Sequence, residues 1–248
     1  MTLNVAHRGN PAAAPESTIP AFESAVALEV DMIEFDVHRL ADAELAVMHD
    51  ATVDRCTDGT GALAEMALAQ VKGLDAGSWF DPRFAGAKVP TLREAMQAIP
   101  APITMNVHLK TVRDEDNSFE MSVLEQLHDA DTQDRALLVH NHLPSLDRLR
   151  SEASDLEYCW LPTVPDGLEY IALARREGFC VLQPGRAMLS QEFCDTVHQA
   201  GMHANVFYAD TPEDMKRFIR WGIDGILTNC PALLKEVLRT MPNEDSQG

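Results

Sequence analysis

No run of this 248-residue sequence approaches the roughly 18 consecutive apolar residues that a membrane-spanning helix needs. Before His7 there is no room for a charged segment followed by an apolar leader, so a cytoplasmic location is the expectation. Basic side chains are scarce: 20 Lys and Arg stand against 39 Asp and Glu, for a net charge of −19. Such a field repels nucleic-acid phosphates and anionic bilayer surfaces, so neither a nucleic-acid partner nor stable membrane association is expected. It repels an anionic substrate too. Any phosphate-handling site here must therefore be made locally positive, by a metal ion or by clustered Arg, Lys and His. Cysteine is sparse and odd in number. Cys56, Cys159, Cys180, Cys194 and Cys230 form no C-x-x-C pair, which suits reduced thiols acting as small buried hydrophobes better than a disulfide framework.

What is present is a 46% hydrophobic chain of ordinary globular composition and of the usual length for an eight-fold βα barrel. Short β-rich runs alternate with helical patterns, the signature of a parallel sheet wrapped by helices. Eight strands are predicted, at 3–8, 32–37, 104–109, 136–141, 157–163, 179–183, 203–208 and 225–228. Between them, Ser17 can cap a helix carrying Phe22, Ala25, Val26 and Leu28, and Thr211 can cap one carrying Met215, Phe218 and Ile219. Further helical patterns run over 92–99, 122–128, 143–150, 168–176, 191–200 and 232–240. The predicted architecture is one α/β domain, a TIM (β/α)8 barrel over 1–248. More than fifty residues separate the second strand from the helix at 92, which exceeds an ordinary βα loop. They predict a small subdomain inserted at about 51–89, over the barrel end where active sites form. The tail 243–248 is polar and expected to fray.

Strand ends are where a barrel keeps its chemistry. Glu34 and Asp36 are two apart on strand two, so both carboxylates take one face. Two carboxylates there repel unless a positive ion joins them, and hard oxygen donors suit a divalent metal. His108 and Lys110 repeat the spacing on the next strand. The imidazole could complete a metal set, and the ammonium could face phosphate oxygens. Spacing alone leaves a structural ion pair inside the barrel equally open. His7 and His49 are candidates for proton transfer, since imidazole takes and gives a proton near neutrality. Cleaving a phosphodiester needs a base for the attacking oxygen and an acid for the departing alkoxide, a role for each of two histidines.

The segments Ala6-His7-Arg8-Gly9, Pro15-Glu16-Ser17-Thr18, Ile33-Glu34-Phe35-Asp36-Val37, Val47-Met48-His49-Asp50 and Asp54-Arg55-Cys56-Thr57-Asp58-Gly59-Thr60-Gly61 closely resemble the glycerophosphodiester phosphodiesterase family. The resemblance continues through Pro90-Thr91-Leu92, Asn106 to Lys110 and Gly222 to Asn229, so it covers nearly the whole chain. It implies a TIM barrel with a small insertion, a divalent metal, and hydrolysis of a small-molecule glycerophosphodiester to glycerol phosphate and an alcohol. By position it implies that His7 and His49 are the acid/base pair and Arg8 and Lys110 bind phosphate, while Glu34 and Asp36 are metal ligands. His108 stands where the family usually has a carboxylate. A nitrogen donor there admits Mn2+ or Zn2+ beside the expected Mg2+ or Ca2+. Asn141-His142 replaces the family's Ser-Phe, and Phe207-Tyr208-Ala209-Asp210 replaces its Trp-Thr-Val-Asn, which leaves the alcohol and the glycerol moiety open.

Other readings share these residues. The altered mouth segments suit hydrolysis of another small diester, such as a sugar-phosphate conjugate or a lysophospholipid. Loss of a carboxylate at His108 suits a catalytically inactive phosphodiester-binding protein, although binding alone needs no proton shuttle. An amidohydrolase barrel would carry His-x-His at strand one, where this chain has His7-Arg8-Gly9. A homo-oligomer is left open, because scattered apolar residues on predicted outer helices define no interface.

Overall fold

Alternation along the strands sets the layers of the molecule. In the computed structural model, which describes residues 1–110 and 118–241, β1 (Leu3–His7) and β2 (Met32–Arg39) pair in parallel. β3 (Leu45–Val47) turns back antiparallel on the overlong β2. The barrel continues through β4 (Thr104–Leu109), β5 (Ala136–His140), β6 (Glu157–Trp160), β7 (Val181–Leu182), β8 (His203–Phe207) and β9 (Gly225–Thr228). The strand order is β6-β5-β4-β2-β1-β9-β8-β7, with β3 off that path. All the barrel pairings are parallel, and β6 and β7 come together at the seam of a nearly closed eight-stranded barrel. The TIM-barrel expectation is met.

Around the strands lie α1 (Ile19–Ala27), α3 (Leu92–Ala98), α4 (Ser118–Asp129), α5 (Leu143–Glu152), α6 (Gly167–Arg176), α7 (Gln191–Gln199), α8 (Pro212–Arg220) and α9 (Pro231–Thr240), with α2 (Leu68–Gly73) in the segment after β3. Ile33, Phe35 and Val37 of β2 and Met105, Val107 and Leu109 of β4 join one large core with helical residues such as Phe22, Met96 and Leu127. The intervening residues face the barrel interior, whose floor is Val5, Met32 and Leu227. The stretch after β2 has its own apolar cluster, including Leu40, Met48, Val53, Leu63, Val71 and Val89.

Three expectations are corrected in detail. β3 was not foreseen, because a three-residue apolar run has no period of its own and forms by pairing with the end of β2. The strand expected at 179–183 shrinks to Val181–Leu182. The first helix is capped by Thr18, not Ser17, and Thr18 Oγ1 donates to the Pro15 carbonyl without bonding a helix N–H. Ser17 has φ +56° and its hydroxyl is buried. Thr211 does cap its helix, accepting from the Asp214 N–H at 3.3 Å. The tail expected at 243–248 lies outside the described residues. All five cysteines are free. Among the described residues no helix is long and apolar enough to cross a membrane.

Candidate active site

The register of three strands gathers the predicted residues. His7 lies beside Glu34, Glu34 beside Asn106, and Asp36 beside His108. Six of the seven predicted residues, His7, Glu34, Asp36, His49, His108 and Lys110, line one cavity of about 220 Å3, completed by Leu161, Gln183 and Phe207. A larger groove of about 760 Å3 runs between α6 and α7 on the outside of the barrel. Its lining has no histidine or carboxylate and lies away from the strand ends, so the chemistry belongs to the mouth.

Arg8 is the exception. It follows β1 with φ +56°, and Gly9 follows at φ +85°, where a Cβ would come within 2.8 Å of the Ala21 backbone. This sharp exit sends the guanidinium to Glu16, 2.9 Å from Nη1, with Nε 3.8 Å from Asp36. Lys110 and His108 also approach Asp36, at 3.0 and 3.1 Å. Burial alone would raise the Asp36 carboxyl, but the His108 imidazole and then the Lys110 ammonium hold it well below the usual carboxylate range.

For Glu34 the Arg8 and Lys110 charges do not outweigh burial and the Asp36 charge. Glu34 is 2% exposed and meets the Arg8 backbone N–H at 3.2 Å and His7 Nε2 at 3.8 Å. Burial, then the neighbouring Asp36 charge, pushes its pKa well above the usual range. An uncompensated buried carboxylate costs several kcal/mol, on the order of the whole margin of stability. The donor atoms of Glu34, Asp36 and His108 lie within 4.8 Å of one another, and neither Asp36 oxygen is in hydrogen-bonding geometry. Charge, donor spacing and unmatched lone pairs all fit a divalent cation.

The two histidines have different supports. His7 is 4% exposed, with the Phe207 ring edge-on at 5.2 Å and the Tyr208 ring nearly parallel at 6.0 Å. Burial, with help from the Arg8 charge, lowers its pKa from 6.5 to about 4. Its Nδ1 is 2.8 Å from Asn229 Oδ1. His49 follows β3, and its side chain is 34% exposed. Its Nδ1 is 2.6 Å from an Asp50 carboxylate oxygen, and its backbone carbonyl accepts from His38 Nε2 at 3.2 Å. Arg55 binds Asp50 at 2.6 Å and Glu16 at 2.8 and 2.9 Å, so a chain of charges runs from His49 to Arg8. Chiefly through Arg55, then through His49, the Asp50 pKa falls from 3.8 to about 2.

Asp50, Arg55, Glu16, Asn229 and Asp210 had no role assigned from sequence. Asp50 adjoins His49, whereas Glu16, Arg55 and Asn229 lie in family-like segments that carry no predicted site residue, and Asp210 ends a segment that departs from the family.

Residues 7–233 match the glycerophosphoryl diester phosphodiesterase family. The chain is 31% identical to a glycerophosphodiester phosphodiesterase of Caldanaerobacter subterraneus, over 96% of this chain and 98% of that one. One from Bacillus subtilis is 29% identical over 95% and 86% of the two chains. Among solved structures, an Oleispira antarctica phosphodiesterase in complex with the product sn-glycerol-3-phosphate shares the fold, with a TM-score of 0.88 at 21% identity, covering 95% of this chain and 96% of that one. A glycerophosphodiester phosphodiesterase of Agrobacterium tumefaciens has a TM-score of 0.79 at 26% identity, covering 95% and 100%. A match spanning nearly the whole barrel, with the motif residues gathered at its mouth, makes this chain a member of the glycerophosphoryl diester phosphodiesterase family.

Proposed function

We propose that the protein hydrolyses a glycerophosphodiester to glycerol phosphate and an alcohol, with His7 as base and His49 as acid. One observation carries this reading: two imidazoles face a single cavity, and each has its Nδ1 engaged, which leaves both Nε2 atoms for a ligand. A protein that only bound the diester would need no such pair. Glycerol phosphate as product is supported by the Oleispira relative, whose structure holds sn-glycerol-3-phosphate.

Roles follow from the partners. Asn229 presents a neutral amide to His7, and Arg8 beside it opposes a positive ring, so His7 serves as the uncharged base that takes a proton at Nε2. Asp50 presents a carboxylate to His49, which can balance a cationic ring, so His49 delivers its Nε2 proton to the departing alkoxide. Arg8 and Lys110 supply fixed positive charge, and ligand phosphate would compete with Glu16 and Asp36 for it. A divalent cation held by Glu34, Asp36 and His108 would supply Lewis-acid polarisation of a phosphoryl oxygen. The nitrogen of His108 admits manganese or zinc beside magnesium and calcium.

The test is release of glycerol phosphate from glycerophosphocholine and glycerophosphoethanolamine by metal-stripped protein, with magnesium, calcium, manganese or zinc restored in turn. Cation-dependent release is expected. No release with any cation overturns the reading.

A further inference from the structure

Behind His7 lies a hydrogen-bonded relay of fixed polarity, and it starts at Asp210. Three donors converge on this carboxylate. The Asn229 backbone N–H reaches Oδ1 at 2.7 Å, the Thr228 hydroxyl reaches the same oxygen at 3.0 Å, and Asn229 Nδ2 reaches Oδ2 at 2.7 Å. Thr228 Oγ1 itself accepts from the Cys230 N–H at 3.0 Å, so its hydrogen is directed at Asp210. A carboxylate only accepts, so the Asn229 amide can have just one orientation, with Nδ2 on Asp210 and Oδ1 toward His7. An amide oxygen also only accepts. His7 must then carry its hydrogen on Nδ1, and the lone pair falls on Nε2.

We propose that Asp210 is a positioning residue which, through the Asn229 amide, holds His7 in the Nδ1–H tautomer that the base role requires. The proposal rests on the assignment of His7 as base. Asp210 is not among the residues lining the cavity; its hydrogen bonds go to Thr228 and Asn229, and it acts by deciding which way Asn229 faces.

The polarity makes the relay testable by exchange. In Asp210→Asn, the amide at 210 can still accept from Thr228 and the Asn229 backbone, but its NH2 meets the NH2 of Asn229. Asn229 then turns over, offers a donor to His7 Nδ1, and moves the ring hydrogen to Nε2. In Asn229→Asp, two carboxylates face each other. The exchange D210N/N229D restores every bond: the amide at 210 donates to the carboxylate at 229, whose other oxygen accepts from His7 Nδ1.

On folded variants with wild-type circular dichroism, D210N is expected to lower kcat by about 10²- to 10⁴-fold, with KM changed less than about threefold. The exchange is expected to raise kcat at least about tenfold above D210N while staying below wild type, because a carboxylate at 229 restores the Nδ1–H tautomer but also favours a charged ring. A structural role alone would not be repaired by exchanging the two side chains. Independently of turnover, 15N spectra of His7 in the unsubstituted protein above pH 7 are expected to show a protonated Nδ1 and a bare Nε2. A hydrogen on Nε2 in that spectrum, wild-type kcat in D210N, or an exchange variant no better than D210N overturns the relay. If the unsubstituted protein cleaves no glycerophosphodiester, the activity assigned above fails, and the 15N spectrum still decides the relay.

Discussion

His7 and His49 face one cavity from two kinds of support. His7 ends a barrel strand, is walled by Phe207 and Tyr208, and leans on a neutral amide. His49 follows the short antiparallel β3, is half-buried, and leans on a carboxylate tied through Arg55 to Glu16 and Arg8. The same side chain therefore serves two roles, set by what holds its Nδ1. Identical imidazoles in identical settings could not divide the work of acid and base.

The sharpest break in this comparison is removal of either ring. His7→Ala and His49→Ala are each expected to lower kcat by about 10²- to 10⁴-fold with KM nearly unchanged, measured by glycerol phosphate release. A cation tests the strand side of the site, where the Arg8 and Lys110 charges do not offset the burial of Glu34. At about 100 times its dissociation constant, a bound divalent ion adds roughly 2.7 kcal/mol, a rise in Tm of about 5–10 °C. Calorimetry is expected to show that rise in the unsubstituted protein and to lose it in Asp36→Asn. Arg55→Ala leaves His7 untouched and releases Asp50 from Glu16, so a fall in kcat of about tenfold is expected, without change in the His7 15N spectrum.

The smallest effect is on acid stability. The folded pKa of Asp50 is depressed, from 3.8 to about 2, so its contribution is complete above about pH 4 and is lost as pH falls toward 2. Asp50 is 30% exposed, and solvent screening limits this to about 1 kcal/mol. Denaturant melts of Asp50→Asn are expected to be flatter than those of the unsubstituted protein across that window.

Much of this was legible in the sequence, for physical reasons. The barrel was visible because short β-rich runs alternate eight times with helical patterns, and Glu34/Asp36 and His108/Lys110 share a face by the two-residue period of a strand. What could not be read is where strands end and which neighbour a side chain chooses. β3 forms only through pairing with β2, and Ser17 loses the cap to Thr18 because the chain turns through φ +56° at Ser17. Arg8 and Lys110 were read as phosphate ligands, yet in the structure each is held by a carboxylate, Glu16 and Asp36. The relay joins residues 7, 210 and 229, and no local pattern links positions more than two hundred residues apart.

The division of labour is tested most directly by varying the leaving group. A diester whose departing group is a nitrophenoxide needs no proton from an acid, whereas every diester needs the nucleophile deprotonated. On such a substrate His49→Ala is expected to regain most of the unsubstituted rate and His7→Ala to stay crippled. Recovery of His7→Ala with His49→Ala still crippled would reverse the two roles and contradict the account.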